Sequence, residues 1–224
     1  MKDIRMKGIL LIVFFMGAML SAGAQTTPIR FSVHVDPQSA WFNSDENEVD
    51  PAGSIIHMNA GLNMDYFFAE NYAFVMGFGI NNIGGKLLYA DSTVFLSKGD
   101  TVLLEPGQSA KLNLQYIEIP IGLKLKTEEM GYATYFLQLG FNPMFRLNSR
   151  LSSDEASLDK EDFSESTILF NLGYHVGVGV EYKLGGSTAL IGGLRWTGGL
   201  TDVTDNDRAN VKTNTLSIHL GILF

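Results

Sequence analysis

The sequence predicts an all-β chain folded as an eight-stranded antiparallel up-and-down transmembrane β-barrel. Three observations carry this expectation. Apolar residues alternate with polar or small ones along eight separate segments; the connections between those segments alternate short and long; and the bulky side chains keep to one parity while glycine accumulates on the other. Successive side chains of a strand point to opposite faces, so each segment has one broad apolar face and one narrow mixed face.

The first residues stand apart from this pattern. Lys2, Arg5 and Lys7 flank an apolar run from Gly8 to Leu20, and Ala22-Gly23-Ala24 supplies a small-x-small cleavage pattern before Gln25. Residues 1–24 are therefore expected to be a secretory signal peptide, with 25–224 as one barrel domain. The 224-residue chain has no Cys, which excludes a disulfide framework and thiolate chemistry. Its formal net charge is −8 and becomes about −10 without the signal, which argues against nucleic acid and leaves no polybasic stretch for anionic lipid.

Ile29, Phe31, Val33 and Val35 alternate with Arg30, Ser32, His34 and Asp36 in the first segment, after Pro28. The second runs from Ile56 to Phe68 and the third from Tyr72 to Asn81, so close together that they form a hairpin. The fourth, Leu112 to Lys126, keeps Ile117, Ile119, Ile121, Leu123 and Leu125 on one parity but places Leu112 and Leu114 on the other. A bulge near Gln115, or a start outside the membrane, is the expected cause. The fifth spans Tyr132 to Phe145. The sixth is the most regular, with alternation from Ile168 to Tyr182 broken at Leu169. Thr188 to Gly199 is the seventh, and Thr215 to Phe224 the eighth, with Leu216, Ile218, Leu220, Ile222 and Phe224 opposing Thr215, Ser217, His219 and Gly221.

Short turns are expected at Glu70-Asn71, Thr127 to Gly131 and Gly185-Gly186-Ser187; long polar loops at Asn43 to Gly53, Gly84 to Ala110, Asn148 to Ser166 and Thr201 to Lys212. Short turns at the periplasmic end and long loops outside are the pattern of outer-membrane barrels, with both termini periplasmic. The rival barrel is a secreted lipocalin-like carrier, apolar within and polar without. Bulk separates the two: Gly61, Gly77, Gly79, Gly122, Gly140, Gly173, Gly177, Gly179, Gly193 and Gly221 share the narrow face and suit a crowded interior. The apolar face then meets lipid. Tyr66, Phe68, Tyr72, Tyr132 and Tyr182 at the turn end, and Trp41, Tyr89, Phe145 and Trp196 at the loop end, are placed to form two interfacial girdles.

Asp65, Glu118, Lys124, His175, Glu181 and Arg195 fall on the inward face and are expected to form an ion network that plugs the lumen. Counted along each strand from its turn, Glu118 and Arg195 come to similar depth, so an ion pair between them, with His175 beside it, is expected; Glu118 with Lys124, or partners separated by water, are the alternatives.

Leu114-Gln115-Tyr116-Ile117-Glu118-Ile119-Pro120-Ile121-Gly122-Leu123-Lys124, and Leu194 to Val203 in the penultimate strand and last loop, resemble the PorT-like outer-membrane β-barrel family of Bacteroidota, with Tyr116, Glu118 and Pro120 as the family motif. The resemblance implies an OmpA/OmpX-like barrel in the outer membrane. The founding member takes part in secretion of surface proteases through a multi-component export system, whereas most relatives are known by fold alone. A terminal aromatic on the last strand resembles the signal by which the barrel-assembly machinery reads such chains, which makes Phe224 the expected assembly signal and that machinery an expected partner, beside outer-membrane lipid and protein partners at the extracellular loops.

No catalytic set, cofactor motif or metal motif is legible. Ser217 and His219 share the inward face, but a dyad needs a third group to orient the base. The acidic stretch Asp45 to Asp50 lacks the spacing and turn glycine of an EF-hand loop. A non-enzymatic structural or interaction role is expected, with an outer-membrane hydrolase of lipid or peptide, or the carrier, as alternatives.

Overall fold

The computed structural model describes residues 28–44, 49–89, 93–97, 100–104, 109–153, 158–162, 167–203 and 211–224. The expected signal peptide lies outside them. The strands in chain order are β1 (Ile29–Ser44), β2 (Val49–Gly53), β3 (Ile55–Ala69), β4 (Tyr72–Tyr89), β5 (Thr93–Ser97), β6 (Asp100–Leu104), β7 (Ser109–Glu118), β8 (Ile121–Lys126), β9 (Ala133–Ser153), β10 (Leu158–Asp162), β11 (Phe170–Gly185), β12 (Thr188–Gly199) and β13 (Val211–Leu223). Every pairing is antiparallel. β9, β11, β12, β13, β1, β3 and β4 follow one another in hydrogen-bonded order, and β7 with β8 bridges β4 back to β9. Counting β7 and β8 as one stave, eight staves close a barrel among the described residues.

β7 and β8 are a single stave because their registers continue across the gap, from Gly79↔Glu118 to Met76↔Ile121 on one side and from Met144↔Glu118 to Phe141↔Ile121 on the other. The gap is at Ile119-Pro120. Pro120 has no N–H to donate, but its carbonyl accepts from the Gly77 N–H at 2.9 Å, and the Ile119 N–H donates to the Pro143 carbonyl at 2.9 Å. At the turn end, Gly186 has φ 59°, a left-handed conformation that glycine adopts without a Cβ penalty, and lets β11 return directly into β12.

Inside and outside follow the predicted parity through the turn-end half. Along β13, Leu216, Ile218, Leu220 and Ile222 are exposed, whereas Thr215, Ser217, His219 and Leu223 are buried. Exposed Phe68, Tyr72 and Phe74 touch ring to ring, as do Tyr132 and Tyr182, at the turn end. Cross-strand glycine pairs, among them Gly61↔Gly79, Gly122↔Gly140 and Gly179↔Gly193, bring backbone against backbone on the inner wall.

The loop-end half inverts this pattern. Buried Ala40, Phe42, Ile83, Leu87, Leu112, Leu114, Tyr116 and Met144 belong to one apolar cluster inside the wall, while Lys111, Asn113, Gln115 and Arg150 face outward. The strands are also longer than predicted. β4 has 18 residues and β9 has 21, against about 9–11 needed to cross a bilayer. Much of what reads as polar loop in the sequence, 43–53, 84–110 and 148–166, is thus strand: β1, β4, β7 and β9 reach into it, β2 adds to β4, β10 adds to β9, and β5 pairs with β6. Leu112 and Leu114 do not mark a parity switch within their own strand, because β7 alternates regularly from Ser109 to Glu118. They belong to the inward-facing apolar run of the loop-end half. The bulge lies on the neighbouring strand, where pairing moves from Gln115↔Asn148 to Tyr116↔Arg146 and Leu147 is the extra residue.

Candidate functional site

The inward faces of these staves bring two polar groups together in the lumen. Nearest the turn end, Lys124 Nζ lies 2.8 Å from Asp65 Oδ2 and 2.6 Å from Glu181 Oε1, and Lys126 Nζ lies 2.5 Å from Glu181 Oε2. The Arg30 guanidinium stands 3.8 Å from the same carboxylate. The Phe136 ring lies 4.7 Å from the Lys124 ammonium and the Phe67 ring 5.3 Å from that of Lys126, so both cations also lie over aromatic faces. Phe136, Ala189, Ile191 and Leu223 form a small buried apolar cluster.

The second group lies farther from the turns. The Glu118 carboxylate accepts from Asn59 Nδ2 at 2.7 Å and from Asn142 Nδ2. Asn142 Oδ1 in turn meets His175 Nδ1, whose ring approaches Gln138 through Nε2 at 3.3 Å. Around the first and last staves, Asp36 takes His219 Nδ1 at 2.8 Å, has His34 Nδ1 3.3 Å away, and accepts from Arg195 Nη1 at 3.3 Å. The two imidazole rings are 5.1 Å apart between centroids. Gly61 makes room here: a Cβ on it would stand 3.0 Å from His34 Nε2 and 2.6 Å from the Phe78 carbonyl oxygen.

All six residues assigned to the lumen from sequence are buried, at 5% exposure or less. Asp65, Lys124 and Glu181 meet directly, and Glu118 reaches His175 through Asn142. The expected Glu118–Arg195 ion pair is not formed, and neither is the Glu118–Lys124 alternative. Arg195 reaches across its neighbour strand to Asp36, Lys124 is held between Asp65 and Glu181, and Glu118 is satisfied by two amides. Glu118 and Arg195 instead border the same narrow interior gap, with His34, Asn59, Gly79 and Pro120. Of the motif residues, Tyr116 is fully buried in the loop-end apolar cluster and Pro120 interrupts its stave. Phe224 follows β13, its N–H donating to the Phe31 carbonyl at 2.8 Å. Ser217 and His219 do not form a dyad: the hydroxyl donates to the Arg195 carbonyl at 3.2 Å and His219 turns Nδ1 to Asp36.

Sequence reasoning missed the grouping of His34, Asp36 and His219. His34 and Asp36 were legible as inward neighbours two residues apart, but His219 lies 183 residues from Asp36, and only the register of barrel closure brings them together.

A family profile described as "Outer membrane protein beta-barrel domain" matches residues 24–205. The chain belongs to this family. Outer-membrane location follows for a member whose staves carry an apolar outer belt. No curated protein matches the chain. Among solved structures, the barrel is similar to Neisserial surface protein A (15% identity, TM-score 0.46, covering 86% of this chain and 95% of that one). It is also similar to the outer membrane protein OprG from Pseudomonas aeruginosa (11%, TM-score 0.47, 87% and 95%). A third likeness is to the outer membrane protease OmpT from Escherichia coli (10%, TM-score 0.46, 91% and 99%).

Proposed function

We propose that this outer-membrane barrel is a non-porous, non-enzymatic scaffold that works through its loop end, as an interaction protein or as the membrane component of a larger complex. The observation that carries the reading is the inverted loop-end half. There the wall rises past the membrane belt, its interior is filled by apolar side chains such as Phe42, Leu112, Leu114 and Tyr116, and its outer face is polar. An interior of this kind excludes a continuous water path and leaves a rigid, wettable rim for partners.

In this reading the turns and both termini are periplasmic, the belt is held by lipid, and the last strand is handed in by the barrel-assembly machinery. The Tyr116, Glu118 and Pro120 motif favours a PorT-like member over a generic small barrel. Reconstitution into planar bilayers tests the closed lumen: no stepwise conductance is expected, and stable unitary openings from the purified protein would overturn it. Crosslinking in the native outer membrane then identifies what the loop end holds; exclusive recovery of uncrosslinked monomer would refute the interaction role.

A further inference from the structure

We propose that His34, Asp36 and His219 bind one divalent first-row transition-metal ion, of the kind Zn²⁺ represents, and that this ion clasps the first stave of the barrel to the last. The three donors come from two inner wall positions on β1 and one on β13, all buried, and one ligand atom from each lies within 4.8 Å of the others. Two imidazoles and a carboxylate are a common donor set for such ions, with metal–ligand distances of about 2.0–2.2 Å. Ligands at that range around one ion stand roughly 3–3.5 Å apart, and the spacings found here from Asp36 are 2.8 and 3.0 Å to His219 and 3.3 Å to His34. The widest spacing within the cluster, up to 4.8 Å, exceeds what one ion spans, so the imidazole rings turn toward each other when the ion binds.

Two independent observations point the same way. His34 Nδ1 is buried 3.3 Å from Asp36 Oδ2 without meeting hydrogen-bond geometry to it or to any other group. An unsatisfied buried nitrogen is costly, and a metal ion satisfies it. The second observation is the charge around the gap. In the turn-end group the carboxylates of Asp65 and Glu181 face the ammonium groups of Lys124 and Lys126 and the guanidinium of Arg30. In the second group Asp36 and Glu118 share a neighbourhood with the guanidinium of Arg195 and the imidazole of His34. Arg195 holds Asp36 by Oδ2 and so orients the carboxylate between the two imidazoles.

The location gives the site a purpose. The β1–β13 ladder is the seam where the barrel closes on itself, and its register skips from Val35↔Leu220 to Gln38↔Ser217. Pro37, lacking an N–H, sits in that gap. Asp36 and His219 face each other at the unbridged step, so the ion would restore by coordination a link the backbone ladder lacks. A metal seated there binds the closed barrel and not the unfolded chain, and so stabilises closure.

The test uses the full barrel, refolded into detergent micelles after chelation, with Co²⁺ present during refolding so that burial does not block entry. One Co²⁺ per chain with visible absorption shifted from that of aqueous Co²⁺, displaced by Zn²⁺, and a raised unfolding midpoint are expected. Refolded His34→Gln and His219→Gln should bind Co²⁺ about 100-fold more weakly or worse, since even outer-shell changes cost about 10–100-fold. His175→Gln, outside the cluster, should bind as the parent does. Absence of stoichiometric Co²⁺ from the parent overturns the proposal, whether or not any variant folds. So does binding that survives in both His34→Gln and His219→Gln.

Discussion

Lys124→Met should be among the most damaging single substitutions in the barrel. Lys124 lies 2.8 Å from Asp65 and 2.6 Å from Glu181, with all three side chains buried. Glu181 keeps a second cation in Lys126, at 2.5 Å from its other oxygen. Asp65 has no second cation within ion-pairing distance among the described residues, so the substitution strands one carboxylate rather than two. Breaking a buried pair by removing one partner costs about 3–5 kcal/mol, a shift of about 100- to 4,000-fold in the folding equilibrium. Asp65→Asn removes the stranded charge, so Lys124→Met/Asp65→Asn should recover at least half of the loss. Urea unfolding in micelles, followed by fluorescence of Trp41 and Trp196, measures each corner of the cycle. Additivity within about 0.5 kcal/mol would refute the pairing, because residues sharing a buried ion pair couple by more than that.

The same cycle on Glu118→Gln and Arg195→Met should give weaker coupling than Lys124 with Asp65, since each has its own partners; an equal or larger value in unfolding would show a direct bond in the folded barrel. Gly140→Ala should cost about 1–3 kcal/mol, because its Cβ would stand 2.4 Å from the Ile121 carbonyl oxygen, whereas Gly192→Ala, with nothing within 4 Å, should be near neutral in the same assay. Leu114→Ala, in the loop-end apolar cluster, should lose about 2–5 kcal/mol in urea unfolding, and Leu216→Ala, half exposed on the outer belt, distinctly less.

What the sequence made legible is the part of the structure that depends on local alternation. Each turn-end half strand has a period of two and one lipid-facing parity, so the stave count, the short turns at Asn71 and Gly186, and the inward direction of Glu118 or Arg195 followed from a single residue's neighbours. Two things did not follow. The loop-end halves obey the same period with the opposite sign, apolar within and polar without, as at Leu112, Asn113 and Leu114. A reader who expects apolar residues to face lipid takes that inversion for a bulge or a loop, although the alternation itself is unbroken. Pairing is the other. Depth counted along a strand placed Glu118 and Arg195 at one level, but which side chains meet depends on reach and competition: Arg195 finds Asp36 nearer, Asn59 and Asn142 already hold Glu118, and Lys124 is taken by Asp65 and Glu181. Strand periodicity fixes a direction for each residue alone. Partnership needs the shear of the closed barrel, and residues 34, 36 and 219 share that information only through the seam between first and last strands.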